Sequence, residues 1–182
     1  MSAFNVEEFV RNVRAAAAGE DAATGVRQLM DAAFADPAAV AEGMSGFKGE
    51  DEVLFEDDTV SIWYCGFDPE KHIPPHDHQT HAIIGVYGGA ELNHFYLAKD
   101  GQLDRRSIKV LNPGDVISLG PNTIHSVETA DENVSYAIHV YLAPLTTIER
   151  SLFDWETGAT ETLNETRVNA QMRPSTKQPL QS

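Results

Sequence analysis

The chain has a single cysteine, Cys65, among its 182 residues. That excludes an intrachain disulfide and any paired-thiolate zinc or redox site, and it fits a reducing compartment. Cations are scarce: 13 Lys and Arg face 28 Asp and Glu, for a formal charge of -15. So acidic a surface repels nucleic acid and anionic membranes, and neither is expected as a partner. No stretch approaches the roughly 18 to 20 apolar residues of a membrane span. The opening MSAFNVEEFVRNVR lacks the apolar centre of a secretory signal, so the expected location is the cytoplasm. Arginine is absent between Met44 and His76.

Hydrophobic residues make up 42% of the chain, an ordinary balance for one globular domain large enough to bury a core without staples. From Val6 to about Gly43 the sequence is Ala-rich, with Phe9, Val10, Val13, Val26, Leu29, Met30 and Ala33 at helical spacing, which predicts two or three short helices. Asn5 before Glu7 and Glu8 reads as an N-cap, and Asp36-Pro37 as a cap with a first-turn proline.

The texture then changes to short β-branched and aromatic runs between turn signals. Strands are expected near 52–56, 59–66, 82–88, 91–98, 106–111, 115–119, 124–129 and 134–142. Eight strands suit a jelly roll. The turns are carried by Glu56-Asp57-Asp58, Gly88-Gly89, Lys99-Asp100-Gly101, Asn112-Pro113-Gly114-Asp115 and Asp131-Glu132-Asn133. The expected organisation is a helical annex over 1–44, a β-barrel over 45–157 and a polar tail over 158–182. Leu152, Phe153 and Trp155 are apolar enough to pack on the barrel, and the tail beyond is an extended wrap or disordered.

Three of the seven histidines sit where a metal could collect them. His76 and His78, in Ile73-Pro74-Pro75-His76-Asp77-His78, are spaced i, i+2 and share a face if the chain is extended. His125 follows a strand, a Gly120-Pro121-Asn122 turn and the start of a return strand that can cross back to that pair. Three imidazoles suit borderline first-row metals, leaving open positions on six-coordinate iron or one water on zinc. His139 and Tyr141 also share a face. Cys65 lies in the apolar strand VSIWYCGF and reads as a small buried hydrophobe. His72 and His94 read as surface or core residues.

The segment HDHQTHAIIGVYGGA from His76 to Ala90, with Pro113-Gly114-Asp115 through His125 downstream, resembles the two cupin motifs. With Ile138-His139-Val140-Tyr141 it resembles the thiol dioxygenases of the cysteine dioxygenase and 3-mercaptopropionate dioxygenase type, over roughly residues 52 to 145. The resemblance implies a double-stranded β-helix, Fe(II) held by His76, His78 and His125, and oxidation of a small thiol by dioxygen to its sulfinate. It also implies that His139 and Tyr141 form a hydrogen-bonded relay beside the metal.

This sequence departs from that pattern in several places. Ala82 and Ile83 stand where ordinary cupins place a fourth, glutamate ligand, which favours a three-histidine site. The same positions hold no cysteine that could cross-link to Tyr141. Ala137 replaces the serine of the family's Ser-x-His-x-Tyr stretch, so His139 needs another orienting acceptor. The carboxylate-binding arginine upstream of His76 is missing, leaving Lys48, Lys71, Arg105 or Arg106 as candidates and a thiol other than cysteine as the expected substrate. His81, where relatives often carry tryptophan, and Tyr64 are expected to line the pocket.

Two other readings stand beside this one. The chain could be a cupin lyase, isomerase or carbon-oxidising dioxygenase using Fe, Ni, Mn or Zn, marked by an added carboxylate ligand such as Glu91, or a non-catalytic ligand-sensing cupin. The sequence does not specify an oligomeric state.

Overall fold

The computed structural model describes residues 4–49, 51–99 and 101–177. Asp100, in the expected 99–101 turn, and the last residues of the tail lie outside them.

Three helices open the chain: α1 (Val6–Ala17), α2 (Ala22–Phe34) and α3 (Pro37–Gly43). Each starts on a side chain that accepts an otherwise orphaned backbone N–H. Asn5 takes that of Glu8, Asp21 that of Thr24 and Asp36 that of Ala39. Pro37 follows its cap in the first turn, where a missing N–H costs nothing.

Among the described residues twelve strands follow: β1 (Glu52–Glu56), β2 (Ser61–Phe67), β3 (Lys71–His76), β4 (Ala82–Gly88), β5 (Glu91–Lys99), β6 (Gln102–Leu111), β7 (Val116–Leu119), β8 (Ile124–Thr129), β9 (Ser135–Tyr141), β10 (Ser151–Phe153), β11 (Thr160–Thr162) and β12 (Arg173–Pro174). A short helix, α4 (Glu165–Gln171), lies between β11 and β12. One sheet runs β1-β2-β9-β4-β7, the other β11-β10-β3-β8-β5-β6 with β12 added on β3, and all described pairings are antiparallel.

The first sheet is covered on both faces, which explains why AIIGVYG in β4 and AIHVY in β9 are almost uninterrupted buried residues. On its outer face Ile62, Tyr64, Ile83, Ile138 and Val140 pack against Phe9, Val13, Val26, Met30 and Phe34 of the helices. Its inner face, with Ala82, Ile84, Ala137 and Tyr141, joins Leu111, Ile117 and Leu119. Gly85 lets α2 approach β4: a Cβ there would sit 2.6 Å from the Phe34 ring. Gly114 supplies the left-handed backbone (φ 99°) of the turn before β7.

Two expectations shift. The β6 hairpin arm starts at Gln102 rather than 106, because its charged residues lie on an edge strand. The region past 157 contributes β11 and β12 to the seven-stranded sheet. Among the described residues, no helix is long and apolar enough to cross a membrane.

Candidate metal centre

His76 closes β3 and His125 lies in β8, and the antiparallel register pairs the two directly. The ladder is irregular between Ile73 and His76, where Pro74 and Pro75 have no N–H to donate. His78 stands two residues past His76, and Gln79 after it turns the chain with φ 53°, rare for a side chain bearing Cβ. Asp77, between the two histidines, is buried and turned aside. Its Oδ1 accepts from Ser151 N at 2.9 Å and its Oδ2 from Gln79 Nε2 at 2.6 Å.

One ring nitrogen from each of His76, His78 and His125 lies within 4.8 Å of the others. The tautomers follow from the outward bonds. His76 Nδ1 donates to Pro74 O at 2.8 Å, and His125 Nδ1 donates to Asn93 Oδ1 at 2.9 Å. Both rings therefore present an Nε2 lone pair inward. His78 Nε2 lies 3.0 Å from His125 Nε2, and His78 Nδ1 is buried without a partner. Inward-facing lone pairs at that separation fit a shared cation. Burial lowers all three pKa values, that of His76 to about 4 and those of His78 and His125 well below the usual histidine value, so the imidazoles are neutral as a metal requires. Phe95 stacks on His125 with centroids 6.3 Å apart and 16° between planes.

The opposite wall comes from the other sheet. His139 and Tyr141 project inward from β9, with His139 Nδ1 2.9 Å from the Tyr141 hydroxyl. The Tyr141 ring lies 4.9 Å from that of His78, between centroids. His139 Nε2 is buried without a hydrogen bond and faces Glu91 Oε1 at 3.9 Å. The negative carboxylate favours the proton on Nε2, so we assign Nδ1 as acceptor of the tyrosine O–H. Burial raises the Tyr141 pKa well above its usual value, keeping that hydroxyl protonated. Glu91 lies with His139, Asn93 and Ser135 rather than in the three-histidine group.

His76, His78, His125, His139 and Tyr141 line one cavity of about 530 Å³ that is also lined by Trp63, Cys65, Lys71 and Arg150. Arg150, half-buried just before β10, is the cation that reading the sequence missed. Burial lowers its pKa and Tyr141 and Asp77 oppose the shift, so it stays charged. Burial also pushes the Cys65 thiol well up, as expected for an inert residue. Of the other candidate cations, Lys71 lines the cavity while Arg105 and Arg106 are exposed on β6.

Two expected pocket residues are corrected. Tyr64 alternates with Trp63 and Cys65 along β2, so it points to the helix side, where its hydroxyl donates to Gly49 O at 3.2 Å. His81 precedes β4 and is exposed. Asn93 was missed as well, and Glu91, named above as the mark of an added carboxylate ligand, faces His139 instead. Both are buried polar residues two positions apart in β5.

Two facing antiparallel sheets with a histidine cluster between them define a cupin-type double-stranded β-helix with a group able to hold a metal. No protein-family model matches the chain. Among solved structures the chain is similar to a double-stranded β-helix protein from Klebsiella pneumoniae, at 19% identity over 58% of this chain and 81% of that one, with a TM-score of 0.44. It is also similar to a cupin superfamily protein from Desulfitobacterium hafniense, at 17% identity over 53% and 83%, TM-score 0.42. The DMSP lyase DddQ from Ruegeria pomeroyi is similar at 17% identity over 56% of this chain, TM-score 0.45, and the match spans 50% of that longer chain.

Proposed function

We propose that the protein is an Fe(II)-dependent thiol dioxygenase that converts a small, carboxylate-bearing thiol to its sulfinate, RSH + O2 → RSO2− + H+. Both oxygen atoms go to sulfur, which loses four electrons as dioxygen gains four. The observation that carries the reading is that three neutral imidazoles, without a carboxylate among them, face a Tyr141–His139 pair and Arg150 across one cavity.

His76, His78 and His125 would hold the metal, and Pro74 O and Asn93 Oδ1 fix two of the rings. Ferrous iron, when bound there, supplies one-electron chemistry and open positions for oxidation of the sulfur. Arg150 pairs with the substrate carboxylate and sets the thiol's orientation. Tyr141, its hydroxyl held by His139 Nδ1, keeps a proton at the sulfur end of the cavity and offers it as charge develops on oxygen. Trp63, Leu145 and Met172 exclude water.

The test is metal content as isolated, followed by oxygen-electrode assays of the ferrous protein with cysteine, 3-mercaptopropionate, cysteamine and mercaptosuccinate. The expected result is thiol-dependent oxygen uptake with a sulfinate product. Bound metal with no uptake on any thiol refutes the proposal and leaves a metal-dependent cupin of other chemistry.

A further inference from the structure

A second dense group of titratable side chains lies on the seven-stranded sheet, where β3, β8 and β5 meet. Glu128 is fully buried there. It accepts His94 Nε2–H at 2.8 Å, and His72 Nδ1 lies 3.7 Å away. The same carboxylate also accepts from Ser175 Oγ at 2.8 Å, Thr176 N at 2.7 Å and Lys177 N at 3.1 Å. A buried carboxylate needs such donors to offset its lost hydration, and this one takes most of them from a single segment beyond β12.

That segment is the end of a longer piece of chain that walls the metal cavity. Leu163, Val168 and Met172 reach the cavity, as do Glu165 and Asn169. The piece is tied at two ends. At the first, β11 pairs with β10, and Leu163 N donates to Arg150 O at 2.8 Å. At the second, β12 pairs with β3 across Arg173 and His72, Ser175 N donates to Glu70 O at 2.9 Å, and the Glu128 bonds follow. Between the ties, α4 buries no residue. Its end is held by polar contacts: Trp155 Nε1 donates to Gln171 O at 2.8 Å, and the Arg173 guanidinium lies 4.7 Å over the Trp155 ring. An element fixed by hydrogen bonds at its ends and little apolar burial in its middle opens at lower free energy than the barrel.

We propose that residues 160–177 form a strap that closes the cavity and selects what enters by size, and that Glu128 is the latch holding it shut. The proposal rests on the reading above only in taking the cavity as the substrate site. Glu128 is a positioning residue, because it acts on the cavity through the strap.

The first arm is amide hydrogen exchange on the full chain without added metal, comparing wild type with Glu128→Gln. Because replacing a buried carboxylate can unsettle the sheet, a Ser175→Ala, Thr176→Val variant removes from the strap side the two hydroxyl donors to Glu128, Ser175 Oγ at 2.8 Å and Thr176 Oγ1 at 3.2 Å, and leaves the carboxylate in place. Amides of 160–177 are expected to exchange on the order of tenfold faster in both variants, with β8 and β9 keeping wild-type protection. Unchanged strap exchange, or equal loss across β8 and β9 in the strap-side variant, overturns the latch.

The second arm loads the proteins with Fe(II) and compares its removal by phenanthroline and by the bulkier bathophenanthroline disulfonate. Wild type is expected to release iron faster to the smaller chelator, and the variants to lose most of that discrimination. Undiminished discrimination overturns size selection, and so does a second equivalent of metal bound by wild type and lost in Glu128→Gln. Failure of the protein to take up iron or oxidise thiols refutes the proposed function, while the exchange arm still decides the strap.

Discussion

Replacing Arg150 by glutamine separates carboxylate recognition from the rest of the site. The guanidinium is half-buried beside Tyr141, where an ionic hydrogen bond is stronger than in water but still partly screened. Charge-assisted hydrogen bonds in such settings contribute about 1.5 to 3 kcal/mol, or roughly ten- to hundredfold in kcat/KM. Glutamine keeps a donor and much of the volume while removing the charge. The assay is oxygen uptake by the Fe(II)-loaded protein with 3-mercaptopropionate and, separately, cysteamine, a thiol without a carboxylate. Arg150→Gln should lose about ten- to hundredfold on the acid and little on the amine, inverting the preference. An equal loss on both thiols would refute the reasoning, because Arg150 would then be supporting the site rather than reading the substrate.

His125→Ala should abolish metal retention after desalting, measured by elemental analysis, since it removes one of only three converging imidazoles. Tyr141→Phe should keep its metal and slow turnover by about 10²-fold or more, with full activity counting against the hydroxyl's role. Asn93→Leu removes the acceptor that fixes His125 and should weaken metal binding by about 10- to 100-fold in a chelator competition, with no change sinking the tautomer assignment. In metal-free protein, burial lowers the His72 pKa from 6.5 to about 4, so the unfolded chain takes up a proton there that the folded one does not. Stability is therefore present above about pH 6.5 and lost as pH falls toward 4. His72→Gln should flatten that slope by up to about 1.4 kcal/mol per pH unit in urea titrations, and an unchanged slope would contradict it.

The parts legible in the sequence were those whose signal is local. The caps at Asn5 and Asp36, and strands such as 82–88 and 124–129, are set by nearest neighbours and periodicity, and they stand where expected. β3 was read only as a stretch that could be extended, and the irregular ladder there tolerates Pro74 and Pro75, two residues without N–H groups. β10, β11 and β12 are two or three residues long and carry no period at all. The convergence of His76, His78 and His125 followed from spacing plus one return strand. Arg150 could not be found that way. It sits outside any patterned element, and its neighbour Ser151 is tied by its N–H to Asp77, between the first two histidines, a contact no local pattern foretells. Tyr64 failed on parity, since one step along β2 moves a side chain from the cavity to the helices.

The division between the sheets explains why a barrel of this size carries a helical annex. The seven-stranded sheet supplies His76 and His125, with His78 in the loop that leaves β3, and the five-stranded sheet supplies His139 and Tyr141 from β9, its central strand. The outer face of β9 carries Ile138 and Val140, which without α1 and α2 would face water. Covering them fixes β9 from behind, and under the proposed function the Tyr141 hydroxyl, which has to meet a substrate across the cavity, needs that fixation more than it needs proximity in sequence. Phe34, pressed against Gly85 next to the β4–β9 ladder, is the point where the annex meets this strand pair. The annex therefore packs behind the strand that carries His139 and Tyr141 without contributing a side chain to the cavity lining.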